Sequence, residues 1–131
     1  MNEEAAAYLV KAEAALEDAR VLAGAERHPA AIGRAYYAML HAAQALLVAA
    51  DVRFRKHAAV HAAFGRELTR RGIIDPMYHQ WLIDALAARQ VAEYGLFATV
   101  TAEQSEETLR RAAEFIVAAG RIIAAGPIPP P

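Results

Sequence analysis

The sequence predicts an all-α fold, an antiparallel up-and-down bundle of four to five helices. Three observations carry that expectation. About a quarter of the 131 residues are alanine, the strongest helix former. Alternating β-branched runs, the mark of a half-buried strand, are missing. Turn residues divide the chain into long segments with short connections, which favours antiparallel neighbours.

The elements follow in order. Asn2 is placed to cap a first helix from near Glu3 to about Ala23, with Gly24 just past its end. His28-Pro29 opens a second helix that runs to near Asp51. A third is expected from Lys56 or His57 to Gly72. Asp75 then caps a fourth, with Pro76 at its first position, and this helix ends near Tyr94-Gly95. Thr101 and Gln104 have the spacing of a capping box and begin the fifth, which continues to about Ala124. Residues 1–125 therefore read as a single domain, and 126–131, GPIPPP, as a flexible proline-rich tail.

Composition narrows the function classes. A net charge of −1 predicts no bulk attraction to nucleic acid or membrane, so such contact must use a local patch. The absence of cysteine removes disulfides, thiolate metal sites and cysteine nucleophiles. The acidic start MNEEAAAYLV lacks the basic region of a secretory signal. The near-apolar stretch from Ala35 to Ala50 is shorter than the roughly 20 residues that span a bilayer. A cytoplasmic protein with no membrane partner is expected. Ser105 is the lone serine and lies on a polar helix start, and no glycine-rich phosphate loop or Glu-x-x-His pair is present. His57 and His61 stand four apart, but HAAVH lacks the glutamate of a zincin and a third ligand. Neither a metal nor a cofactor is expected.

The second helix has an unusual pattern. Ile32, Tyr36, Met39, Leu40, Ala43, Leu46 and Leu47 gather on one side, the expected core face. Arg34 and His41 are seven residues apart, nearly two turns, so they share another side with Tyr37 between them. The rest of that side is Ala38, Ala45 and Val48, without the glutamates and lysines of a solvated face. This predicts a second partner surface, most simply the same helix of another subunit, with Arg34 and His41 at the interface. The plainer alternative is that Arg34 pairs with a carboxylate and His41 simply packs.

"RAYYAMLHAAQALL", followed by "RKHAAVHAAFGRELTRRGIID" and "ARQVAEYG", resembles the HEPN domain family, particularly its small stand-alone prokaryotic members, over roughly residues 5 to 120. The most specific elements are Arg34-x6-His41 with the Tyr36-Tyr37 pair, Lys56-His57, and Arg89-x4-Tyr94. The resemblance implies a helical bundle that dimerises through the motif-bearing helix. Many such proteins are metal-independent ribonucleases with an arginine and a histidine as the active pair. Others are paired with a minimal nucleotidyltransferase in toxin–antitoxin systems. Carried over, Arg34 and His41 would be the catalytic residues of an endoribonuclease toxin. The same resemblance allows a non-catalytic module that binds a nucleotide or a nucleotidyltransferase partner. Two positions depart from the nuclease pattern: Ala35 follows the arginine where members often carry a polar residue, and Ala42 and Ala43 follow His41 where some toxins carry a tyrosine.

The residue types suit RNA cleavage. RNA brings its own nucleophile, the 2′-hydroxyl, so the protein need only move protons and stabilise phosphoryl charge. Histidine titrates near 6.5 and suits the first task. Arginine stays charged and presents forked donors that match phosphate oxygens. Substrate-binding candidates are Tyr37, beside the pair, and the basic strip beyond it, where Arg53, Arg55, Lys56, Arg66, Arg70 and Arg71 face Glu67 alone, with His57 nearby. The strip could equally be a solvated face. Arg89 has apolar neighbours at helical spacing and reads as support, paired with Asp84 or Glu93, while Tyr94 is expected to end its helix by packing. Phe64 and Trp81 read as core.

Overall fold

The computed structural model describes residues 2–97 and 99–131, and its regular structure there is entirely helical. The helices are α1 (Glu3–Gly24), α2 (His28–Ala49), α3 (His57–Ala63), α4 (Pro76–Tyr94) and α5 (Ala102–Ala124), and α3 runs on into a π-helical turn, Phe64–Thr69. The starts are local chemistry. The Asn2 side chain accepts from the backbone of Glu4 and Ala5, Asp75 accepts from Met77, and Thr101 and Gln104 close a reciprocal capping box.

Three helical segments end in the same way, with a residue in the left-handed region bridged by two backbone hydrogen bonds. Gly72 (φ 72°) does this after the π-turn, with Ile73 N–H reaching back to Leu68. At the end of α1 the left-handed residue is Glu26 (φ 61°), two positions past the expected Gly24, and at the end of α2 it is Asp51 (φ 61°). A Cβ in that conformation costs roughly 1–2 kcal/mol, against about 0.5–1 kcal/mol of extra unfolded-state freedom for glycine. Glu26→Gly should therefore stabilise the fold by about 0.5–1 kcal/mol, seen as a higher urea midpoint at unchanged slope. A lower midpoint would contradict the reading.

α2 is the axis of the molecule. It packs against every other helix, most extensively α1, while α5 packs on α2 and α1 and touches α4 only lightly. The predicted core face is buried throughout, and Phe64 is fully buried, whereas Trp81 is only half-buried at the core's edge. The second face is different from expectation. Ala38, Ala45 and Val48 are also buried, inside the same chain. The small residues Ala5, Ala12, Ala15 and Ala19 of α1 are fully buried with them and allow the close approach of α1 to α2. That face therefore needs no second subunit. The tail is non-helical as predicted but is not loose: Ile128 is buried in the common core, and Arg71 donates to the Pro129 carbonyl at 2.6 Å. Among the described residues no helix is long and apolar enough to cross a membrane.

Candidate functional site

Burial of α2 on all sides leaves one gap. Between Ala31 and Val48 the residues that reach solvent are Arg34, Tyr37, His41 and Gln44, a single stripe at successive turns. An interior helix that presents only a cation, a phenol, an imidazole and an amide to water is a concentrated chemical surface.

Tyr37 is its hub. The Arg34 guanidinium lies 5.4 Å from the Tyr37 ring centre, and that of Arg89, from α4, lies 5.0 Å away. His57, at the start of α3, stands edge-on to the same ring at 5.5 Å, and His41 is 6.1 Å from it. The fold thus brings Arg34, Tyr37, His41, His57 and Arg89 together from three helices. Arg34 also meets Asp18 of α1, but at 3.8 Å with both side chains well exposed, a pair of about 0–1 kcal/mol that leaves the guanidinium available.

His41 is held in one form. Its Nδ1 is 2.9 Å from the Gln44 side-chain carbonyl oxygen, which can only accept, so Nδ1 carries the proton and Nε2 keeps its lone pair. Burial lowers the His41 pKa below its usual value. The Gln44 bond opposes this, and Lys11, Arg34 and His57 add to it by charge repulsion. The imidazole is neutral at pH 7 and ready to accept a proton. Tyr8 of α1 stacks on its other side, with ring centres 6.4 Å apart.

Behind the stripe, Tyr36 is fully buried and shares a 2.9 Å hydrogen bond with His61 Nε2. Burial pushes its phenol up to about 12 and the His61 imidazole down. Sequence reasoning assigned Tyr36 to the core and missed its polar end. It also missed Tyr8 and Gln44, which only packing brings to His41. The Gln44 signal was present, three residues after His41 on one helix face.

Arg89 bonds to Glu93 at 3.1 Å and not to Asp84, which receives Gln80 and Arg111 instead. Glu93 in turn comes close to α2 at Gly33, where an added Cβ would lie 3.2 Å from its Oε1. Tyr94 closes α4 but does not pack, being 76% exposed. In the basic strip, Arg53 is tied to Glu4 and Asp51, Arg66 to Glu67 at 2.7 Å, and Arg71 to Glu67 and the tail. Arg55, Lys56 and Arg70 have no ion pair among the described residues. Arg55 lines a cleft whose wall also includes Tyr8 and Gln44, the two residues that meet His41. Nothing ties Arg66 or Arg70 to the Tyr37 cluster. Among the described residues, His57 and His61 belong to no group of three or more metal-type ligands.

The sequence pattern of the HEPN domain matches residues 5–122, the whole of this bundle from the first turns of α1 to the last of α5. The chain belongs to the HEPN domain family. Among similar HEPN-type proteins, a UPF0332 protein of Thermotoga maritima is 31% identical over 86% of each chain. A UPF0332 protein of Gloeobacter violaceus is 33% identical over 72% of this chain and 75% of its own. A protein of Methanocaldococcus jannaschii whose name marks it as a candidate toxin is 31% identical over 88% of this chain and 86% of its own. The motif by which the HEPN resemblance was read, Arg34 and His41 with the Tyr36-Tyr37 pair, lies within the matched region. The two departures from the nuclease pattern fall at Ala35 and at Ala42-Ala43, all fully buried, so they alter packing and leave the solvent-facing stripe intact.

Proposed function

We propose that this HEPN protein is a metal-independent endoribonuclease, the toxin half of a pair whose other member is a nucleotidyltransferase antitoxin. The observation that carries the reading is the exposed stripe of α2, in which Arg34 and His41 are both accessible and share Tyr37 as a neighbour. His41 Nε2 accepts the proton of an RNA 2′-hydroxyl, which attacks the adjacent phosphorus. Arg34 holds the non-bridging oxygens as negative charge grows on them. The 5′-oxygen leaves, and the products are a 2′,3′-cyclic phosphate and a free 5′-hydroxyl. The candidate-toxin name of the Methanocaldococcus relative favours the biological role.

The leaving 5′-oxygen takes its proton from the imidazolium that His41 becomes on accepting the 2′-proton, so the transfer balances. The proposal includes a homodimer with α2 of each chain at a shared site, where a second Arg34 would add to the charge that holds the phosphate. The alanine face has no part in it, because Ala38, Ala45 and Val48 are buried within the chain.

The chemistry predicts its own test. Purified protein should cut single-stranded RNA in EDTA and leave cyclic phosphate ends. A single deoxy sugar at the scissile nucleotide should block cleavage there while binding persists. Cutting of that substrate at the all-RNA rate would refute the mechanism.

A further inference from the structure

We propose that the cleft beside His41, between α1, the end of α2 and the loop into α3, is a nucleobase subsite for a nucleotide flanking the cleaved bond. The proposal rests on the ribonuclease reading above and adds a substrate-recognition surface to it. The cleft measures about 300 Å³, at the lower limit of the roughly 300–1,000 Å³ usual for small-molecule sites. Two of its walls, Tyr8 and Gln44, are the residues that touch His41, so a group seated there lies next to the reacting phosphate.

Its chemistry is that of single-strand recognition. The loop reads Arg53-Phe54-Arg55, an aromatic residue between two cations, and all three line the cleft. Phe54 is 42% exposed. An accessible aromatic face stacks any base, whatever its identity. Arg53 is clamped by both oxygens of Glu4, at 2.9 and 3.0 Å from the carboxylate, and forms a fixed wall. Arg55 has no ion pair among the described residues and is available to a phosphate. The Gln44 carbonyl is committed to His41, which leaves its amide N–H₂ to read a base edge. One residue, Gln44, would then couple base recognition to the tautomer of the proton-transfer group.

The test separates this subsite from catalysis. A short 2′-O-methyl RNA bearing one 2-aminopurine cannot be cleaved through its 2′-oxygen, and stacking on an aromatic ring quenches its fluorescence. Wild-type protein should quench it. Phe54→Ala, an exposed loop change that spares the core, should weaken binding ~5- to ~150-fold. Arg55→Ala should flatten the salt dependence of binding. Absence of quenching by the wild type, or equal affinity for Phe54→Ala, would overturn the subsite even if RNA is cut. Quenching that Phe54→Ala abolishes, in a protein that cuts no RNA, would uphold the subsite and reject the catalytic reading instead.

Discussion

His41→Ala is expected to lower the rate of RNA cleavage by roughly 10²–10⁴-fold, the usual worth of a general acid–base group, with helicity and dimerisation retained. The side chain is only half-buried and makes one side-chain hydrogen bond, to Gln44, so its loss leaves the bundle intact. Arg34→Ala should cost a comparable factor, and Arg34→Lys should recover part of it, since an ammonium restores the charge but not the forked donors. The pH profile supplies a second readout. The His41 pKa lies below 6.5 because burial, Lys11, Arg34 and His57 outweigh the Gln44 bond. Activity limited by its basic form should therefore be fully present near pH 7 and fall only as acid passes through that lowered value. A fall already complete at pH 7 would exclude His41 as the base, and full activity in His41→Ala would do so outright.

Ala38→Glu is expected to unfold the protein. Ala38 is fully buried on α2 within its own chain, and a carboxylate there would lose its hydration. Breaking or burying an uncompensated charge of this kind costs about 3–5 kcal/mol, a large share of the roughly 5–15 kcal/mol that holds a domain together. Circular dichroism should show lost helix at 25 °C or a thermal midpoint lowered by well over 10 °C. A variant that stays folded and merely changes its sedimentation would mean that Ala38 faces another subunit after all. Dimerisation is better probed on the exposed stripe, where a substitution at Tyr37 meets solvent first.

The contrast between these two variants marks what was legible in the sequence. Helix starts were readable because they depend on hydrogen bonds between residues two or three apart, as at Asn2, Asp75 and Thr101. Arg34, Tyr37 and His41 were readable for the same reason, since helical periodicity alone puts them on one side. The covering of Ala38 and Ala45 was not. The helix most extensively packed on α2 is α1, whose buried residues are alanines but for Leu16, and alanine is too weakly apolar to announce a buried face in a sequence pattern. Arg89 and His57 lie far along the chain from Tyr37, and only the packing of α4 and α3 on α2 brings their side chains to its ring. Tyr36 was legible as core, and its ring lies there, but its hydroxyl's bond to His61 on another helix was not. The end of α1 was legible to within a residue, at Gly24, whereas the left-handed residue that closes the turn is Glu26.

The π-helical turn at Phe64–Thr69 makes chain length itself a constraint on this part of the molecule. A π-turn holds one residue more than the α-turn it replaces, seen here in the Arg70 N–H that reaches back five residues to the Gly65 carbonyl at 3.0 Å. Removing a single residue within it would restore α-helical winding with one residue fewer between α3 and the helix end at Gly72. Phe64 and Leu68, both fully buried, are held in the core by the wider winding. His79 of α4 also presses on Gly65 so closely that a Cβ there would lie 2.7 Å from its ring. Loops of this bundle can change length at little cost, but here one winding must at once keep Phe64 and Leu68 in the core and hold Gly65 against His79.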